Sequence, residues 1–417
     1  MKSGAALSSR GSTGVAVLIG SWFKVSLDCA NLRANLLQPL KADLHLQLTY
    51  RPDVDNCNST STCRIVERFS QLGPITGLYL DRQRTTMELL AMLQASPHWP
   101  RLLKWYVDAG GCKEVKGPKL YYHCPKIPEK GNSFMAPVFG SPRLNVLRQI
   151  YLQSLVFQRL QEHEAQRGSQ YETIVWSRLE LQWLAPHTPL HVISFQTCSV
   201  WTPIGEDYAG LNDRHAIFIR EIAPIYLGRW DAILKGRLFD IYQHHMHRHA
   251  IGHQSSERYM AMTLAHYNLS HCYLPTFAYL MCCATVGHCY KTACLHMRVA
   301  PALGLTDKTV GLSALNASGK YLKEMASALL HAAALQHPDA QLRLVPRTFK
   351  YAGAAHSKVF QGPSHLDVSL PAHVFTKLQT RPDVRKVRHV LGPISFNYTL
   401  LSSRPGGMGT WGGVSNL

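Results

Sequence analysis

The segment Gly14-Val15-Ala16-Val17-Leu18-Ile19-Gly20 is a continuous run of apolar β-formers closed by a glycine. A strand that faces water on one side alternates apolar and polar residues. This run does not alternate, so it predicts a strand buried on both faces, as in a parallel sheet covered by helices. Leu32, Leu36 and Leu40 follow at helical spacing, and Asp43-Leu44-His45-Leu46-Gln47-Leu48 then alternates, with leucine on one side. Strand, helix and strand in so short a stretch make a βαβ unit. Such units place ligands at the carboxyl ends of their strands.

The pattern continues downstream. Leu144, Leu147, Tyr151 and Leu155 share one helix face, and Arg167-Gly168 supplies a stop. The stretch from Tyr171 to Ser177, apolar at Ile174, Val175 and Trp176, predicts a further central strand, and His191 to Phe195 a shorter one. Helices are expected from Asp213 (carrying Ile217, Ile222, Ile225 and Trp230), from Ser255-Ser256, whose hydroxyls can cap, and after Gly319. Residues 51–64 read as a polar loop holding Cys57 and Cys63, and residues 107–142 as irregular. Beyond about residue 340 no period is visible. The expected fold class is therefore α/β: a Rossmann-like, mostly parallel sheet flanked by helices, with a helical C-terminal extension. The expected division is a flexible N-terminus (1–13), an α/β domain (14–240), a helical, cysteine-containing continuation (241–345) and an irregular tail (346–417).

Charge narrows the partners. Lys+Arg 44 against Asp+Glu 26 gives +18 over 417 residues, a surface that attracts anions. No zinc-finger spacing, RNA-binding aromatic-glycine signature or Lys/Arg run concentrates that charge. The expectation is a basic globular surface with no nucleic-acid partner. No apolar run reaches the roughly 18 residues of a membrane helix, so no membrane span is expected in this chain. Four of the 11 cysteines crowd together at Cys282, Cys283, Cys289 and Cys294, which suggests disulfides among them. Asparagine sequons at Asn58, Asn268, Asn316 and Asn397 point the same way, toward a secretory lumen. Met1 to Gly14 lacks the apolar core of a signal peptide. Two expectations follow: the secretory pathway, with the Golgi lumen as the place, if the N-terminus is incomplete, and the cytoplasm otherwise.

Two stretches carry candidate chemistry. Ser177-Arg178-Leu179-Glu180 closes the central strand, where ligands bind in an open α/β sheet. Arg178 and Glu180, two apart, leave one face of an extended chain. An arginine there clamps phosphate and a carboxylate holds a hard divalent cation; the plain structural alternative is an Arg–Glu ion pair. The densest polar run is Pro203-Ile204-Gly205-Glu206-Asp207-Tyr208-Ala209-Gly210-Leu211-Asn212-Asp213-Arg214-His215. Asp213 as a helix N-cap and Gly210 as a turn residue explain part of it; Glu206, Asp207 and Asn212 are left for function.

In this order the pieces resemble a largely uncharacterised family of predicted glycosyltransferases related to the GT-A, nucleotide-sugar fold. The matching pieces are the Val-Ala-Val-Leu-Ile-Gly strand, Asn35 to Asp43, Tyr171 to Glu180 and Gly205 to Arg214. Ser255-Ser256-Glu257, Cys282-Cys283 and Lys320-Tyr321-Leu322-Lys323-Glu324 also match. The resemblance implies a nucleotide-sugar donor bound by Gly20, Arg178, Glu180, Gly210, Asn212 and Arg214. GT-A enzymes often carry an Asp-x-Asp motif on a metal; here Arg178-Leu179-Glu180 stands in its place, leaving Glu180 as the candidate ligand for manganese or magnesium. The loop Gly210-Leu211-Asn212-Asp213 resembles the segment facing sugar and acceptor, and Glu257 an acid that orients an acceptor hydroxyl. Sugar transfer passes through an oxocarbenium-like state while the leaving diphosphate gains charge. If the reaction inverts, a base is needed, with Asp207, Asp213 and Glu257 as candidates. The implied function is transfer of a sugar to a glycan, protein or small acceptor, carbohydrate or glycoprotein. The alternatives are a catalytically inactive lectin-like or scaffold relative, and a basic nucleic-acid-binding protein.

Other patterns carry less. His244, His245, His247, His249 and His253 cluster, but no glutamate stands between them as in a zinc hydrolase. A Gly-x-Gly-x-x-Gly turn is missing after the first strand, against a nicotinamide cofactor. Asp53-Val54-Asp55 falls in the polar loop and reads as a solvated turn.

Overall fold

A computed structural model of the chain describes residues 14–22, 29–50, 69–101, 113–115, 121–123, 145–203, 210–238, 240–241, 256–275, 278–280, 341–350 and 359–369. The first strand, β1 (Val15–Trp22), leads into a continuous helical segment. That segment runs through α1 (Cys29–Leu32), a π-helical stretch (Arg33–Leu37) and α2 (Gln38–Leu40). Lys41, at φ 47°, ends it, and β2 (Asp43–Tyr50) returns parallel to β1. Next come β3 (Gly77–Arg82) and α3 (Thr86–Gln94), the latter begun by a Thr85–Glu88 capping box. A small hairpin, β4 (Lys113–Val115) and β5 (Tyr121–His123), precedes the long helix α4 (Asn145–Arg167). Gly168, at φ 76°, terminates α4 where the sequence places the stop.

The second half supplies β6 (Thr173–Arg178), β7 (Leu181–Trp183), β8 (Val200–Pro203) and β9 (His215–Ile219). Short helices α5 (Ala223–Tyr226) and α6 (Arg229–Leu234) follow, then α7 (Ser256–His266) and β10 (His271–Leu274). The last elements are β11 (Ala278–Leu280), β12 (Gln341–Lys350) and β13 (Val359–Ser369). Nine strands form one sheet in the order β12-β13-β10-β8-β9-β6-β1-β2-β3. Strand β9 runs antiparallel to β6 and β8, and β12 antiparallel to β13; every other neighbouring pair is parallel. The fold is thus α/β with a mostly parallel sheet, and β1, β2 and β6 are its adjacent central strands.

Burial explains the apolar runs. Ala16 and Leu18 of β1 pack on one face with Val156, Phe157 and Leu160 of α4, while Val17 and Ile19 pack on the other with Leu32, Leu36 and Leu40. Strand β6 divides likewise, Ile174 and Trp176 to the α4 face and Val175 to the other. Both faces are covered, so no polar alternation is needed. A buried ion pair fixes α4 to the start of the 3₁₀ turn after β9: Arg220 Nη2 donates to Glu164 Oε2 at 2.6 Å and its Nε to Glu164 Oε1 at 2.8 Å. The same carboxylate accepts from the Tyr171 backbone N–H at 3.1 Å, tying in the entry to β6.

Several expectations are corrected. The stretch from His191 to Phe195 is not a strand; Leu190–Val192 is a 3₁₀ turn. No helix starts at Asp213, which leads instead into β9, with Ala216, Ile217 and Phe218 all fully buried. Ile217 is a sheet residue, and the helices begin only after it, at α5 and α6. Residues 341–350 and 359–369 form β12 and β13 where the sequence shows no period. Of residues 241–345, the structure describes one helix, α7, together with β10, β11 and the first residues of β12. The helix after Gly319, the Cys282–Cys294 group, the histidine cluster and the Asp53–Asp55 turn lie outside the described residues.

Candidate functional site

The strand order itself marks a place. From β1 the chain builds outward through β2 and β3 on one side, and then through β6 on the other. The carboxyl ends of β1 and β6 therefore diverge at a topological switch point, where open α/β sheets form a crevice. Gly20 and Arg178 are register partners there. A Cβ on Gly20 would lie 2.9 Å from the Trp176 ring and 3.0 Å from Leu152, so this glycine lets α4 approach β1 closely. That packing role accounts for Gly20 without a ligand.

Arg178, the last residue of β6, meets Glu180 in the turn that follows. Its Nη2 lies 3.4 Å from Glu180 Oε1 and its Nε 3.5 Å from Oε2. Burial, and less so Arg214, opposes the charge on Arg178, but Glu180 and Asp213 together outweigh them, so the guanidinium pKa is raised and the group is cationic. Its backbone N–H donates to the Arg214 carbonyl at 2.9 Å. That bond brings the strand end that carries Arg178 next to the polar turn 210–214.

Within the turn, neighbouring residues take opposite duties. Asn212 Oδ1 accepts from the Arg214 backbone N–H at 3.1 Å, and both residues line a cavity. Asp213 is directed to the helices. Its Oδ2 accepts from Gln149 of α4 at 2.9 Å and from the Ser256 hydroxyl of α7, while its carbonyl accepts from Trp176 Nε1 at 3.1 Å. Ser256 also links Asp213 to a fully buried cation, because its carbonyl accepts from Arg229 Nη1 at 3.3 Å. Arg229 Nη2 donates to Gln153 Oε1 at 2.6 Å, and the rings of Tyr226 and Tyr259 flank the guanidinium. Glu257 joins the turn through its carbonyl, which accepts from Leu211 N–H at 3.0 Å, while its own carboxylate lies 3.5 Å from Ser256 Oγ. Gly210 opens the turn; Gly205, Glu206 and Asp207 lie outside the described residues.

The cavity sits beyond the ends of β8 and β10, lined by Trp183, His187, Asn212, Arg214, His215 and Leu274 among others. Its volume of about 20 Å³ suits one water or one ligand hydroxyl. His187 and His215 meet Nε2 to Nε2 at 3.0 Å, and His187 Nδ1 lies 2.6 Å from the Thr188 carbonyl. A carbonyl only accepts, so His187 carries its proton on Nδ1 and presents a bare Nε2. His215 must then donate from Nε2, which leaves its Nδ1 an acceptor. Burial holds His187 down to about 4, against the Thr188 bond, and holds His215 well below its ordinary value with help from His187; both are neutral. His215 Nδ1 and Trp183 Nε1 are both buried without a protein partner. Both residues belong to the cavity lining, which thus holds one residue with an unused acceptor and one with an unused donor.

Trp183 is held by a reciprocal pair: Asn31 Nδ2 donates to its carbonyl at 2.7 Å, and its N–H donates to Asn31 Oδ1 at 2.9 Å. Trp183, His187 and Arg229 were not legible as site residues, since none belongs to a motif or a period. Among the described residues no group of three or more His, Cys, Asp or Glu side chains could hold a metal. Glu180, the expected metal ligand, turns both oxygens toward Arg178. A hard divalent cation takes several oxygen ligands, and among the described residues Glu180, paired with Arg178, does not by itself supply such a set.

No family model matches the chain, and no curated protein matches it. Among solved structures the chain is similar to mouse xyloside xylosyltransferase 1 in its apo form. The two are 9% identical, with 61% of this chain and 83% of that chain covered and a TM-score of 0.29.

Proposed function

We propose that the chain is a glycosyltransferase-like enzyme that moves a sugar from a nucleotide donor to a hydroxyl of a glycan, protein or small acceptor. The observation that carries the reading is the Arg178 N–H bond to the Arg214 carbonyl. It joins the switch point of a parallel sheet to a turn bordering a cavity lined by polar and aromatic side chains. In transfer, the bond from the sugar C1 to the diphosphate oxygen breaks, and a bond from C1 to the acceptor oxygen forms. The diphosphate leaves with the electron pair and the acceptor loses a proton. Arg178 is the cation for the developing charge, and Glu180 holds its Nε and Nη2 edge in one orientation. Arg214, on the cavity lining and close enough to act on Arg178, adds a second guanidinium. Asn212, His215 and Trp183 match sugar hydroxyls. Asp213 acts as a positioning residue, fixing the turn to α4 and α7. Glu257, beside that turn, is the candidate to take the acceptor proton.

A thermal-shift panel of nucleoside diphosphates and nucleotide sugars, with and without manganese, tests this. A ligand that binds only the folded state adds about 2.7 kcal/mol at a hundred times its Kd. The expected result is a raised melting point with at least one donor, abolished by Arg178→Met, together with hydrolysis or transfer of that donor. No shift across the panel refutes donor binding. A shift without turnover supports the inactive, lectin-like relative instead.

A further inference from the structure

The end of the sheet opposite the candidate site carries two features that belong to one compartment. Cys198, just before β8, and Cys272, in β10, form a disulfide with Cα atoms 5.6 Å apart across a sequence separation of 74. Both cysteines are buried, so the bond closes while the two strands come together, not on a finished surface. Immediately before β10, which begins at His271, the chain passes Asn268-Leu269-Ser270, one of its four sequons. The other three lie outside the described residues.

Asn268 is exposed on the turn between α7 and β10, at φ 52°. Asparagine tolerates this left-handed conformation, so the turn alone explains the residue. Ser270 also has a structural use: its hydroxyl accepts from the Ser199 backbone N–H at 3.0 Å, and its carbonyl from Val200 N–H at 3.1 Å. The disulfide supplies the independent observation. Stable disulfides form in oxidising compartments, which in eukaryotes are also where sequons are glycosylated.

We propose that Asn268 is N-glycosylated and that the chain matures in a secretory lumen. The co-reactant is a lipid-diphosphate-linked oligosaccharide. The bond from its first sugar C1 to the diphosphate breaks, and Asn268 Nδ2 bonds that C1, losing one proton while the lipid diphosphate departs. Because β10 runs parallel to β8 and both point their carboxyl ends at the cavity, the turn holding Asn268 lies at the opposite, amino-terminal end of these strands. A glycan there extends into solvent and leaves the site open. This inference does not depend on the transferase reading.

The test is peptide mapping of the full chain isolated from its own cells, without reduction. Enzymatic release of N-glycans in ¹⁸O-water should convert Asn268 to labelled aspartate, and Cys198 and Cys272 should appear as one cross-linked peptide. Asn268→Asp, which keeps a residue that accepts the left-handed turn, should fold normally and lose one glycan on a gel. Ser270→Thr, which keeps the sequon, should retain it. Recovery of unmodified Asn268 overturns the modification site whatever the cysteines do, and alkylation of both Cys198 and Cys272 before reduction overturns the compartment.

Discussion

Three histidines buried in or beside the sheet, and a fourth, His271, partly buried in β10, have their pKa values pushed down. Burial lowers His45 to about 3, reinforced by His163 and Arg167. Burial lowers His271 to about 3 and His187 to about 4, and it carries His215 well below its ordinary value. An unfolded histidine titrates near about 6.5. As pH falls, the unfolded chain therefore takes up protons first, so the stability these groups contribute is present above about 6.5 and is lost between 6.5 and their folded values. At pH 5 the preference amounts to about 2 kcal/mol for each of His45, His187 and His271, and roughly 6 kcal/mol for the three. That is comparable to the whole stability of an ordinary domain, about 5–15 kcal/mol. Urea denaturation at pH 7.5, 6 and 5, followed by tryptophan fluorescence, measures it. The expected result is a loss of about 2 kcal/mol by pH 6 and of about 6 kcal/mol by pH 5. His271→Gln, whose amide can keep the bond that His271 Nε2 makes to Thr202 Oγ1 at 2.8 Å, should remove about 2 kcal/mol of that dependence. A stability flat from pH 7.5 to 5, or a His271→Gln profile as steep as wild type, refutes the reasoning.

Three further outcomes are expected. Glu164→Ala strands the buried Arg220 and should cost about 3–5 kcal/mol, whereas Glu164→Met with Arg220→Met should recover most of it, both read from urea midpoints. Replacing Cys198 and Cys272 by alanine frees a loop of 74 residues' separation and should cost about 4 kcal/mol by the chain-entropy model, measured as a fall in Tm. Asn212→Ala should cost about 1 kcal/mol through the lost Arg214 N–H bond and weaken donor binding, while Asp213→Ala should cost more, up to about 3 kcal/mol, because both Gln149 and Ser256 lose their acceptor; equal stability for the two variants would contradict the division of labour within the turn.

The central strands were legible because burial on both faces writes itself into the sequence as an unbroken apolar run. Val15–Ile19 and Ile174–Trp176 needed nothing more than that. Helix α4 was legible for the opposite reason: its apolar stripe repeats at helical spacing and a glycine in the left-handed region ends it. Strand β9 was not legible. Its residues His215 to Ile219 are apolar on both faces, and Ile217 falls into an accidental helical spacing with Ile222 and Ile225 across a boundary that the sequence does not mark. Period separates helix from a half-exposed strand, but not from a fully buried one. The Cys198–Cys272 pairing was hidden too, since it depends on β8 and β10 being neighbours and not on any spacing along the chain. His187 belongs to a segment without period; only the fold brings it to His215.

The candidate site was legible as a stretch but not in its roles, and the backbone explains why. Asn212 and Asp213 are adjacent amides and acids in one polar run, which reads as a pair aimed at a sugar. In the chain leading into β9 they separate: Asn212 lines the cavity, and Asp213 binds Gln149 and Ser256 on the helices. Successive side chains of extended backbone leave on opposite sides, so in such a segment only every second residue can face a ligand. The acid thus anchors the turn that the amide presents. Arg178 and Glu180 divide in a similar way, one carrying charge and the other holding it in place. Under the proposed transfer, the four expected ligand contacts reduce to two, Arg178 and Asn212, each held by an acid or a bond behind it. Pairing Arg178 with Glu180, and Asp213 with Gln149 and Ser256, keeps these charges from being buried and unpaired, which a sheet covered on both faces could not sustain.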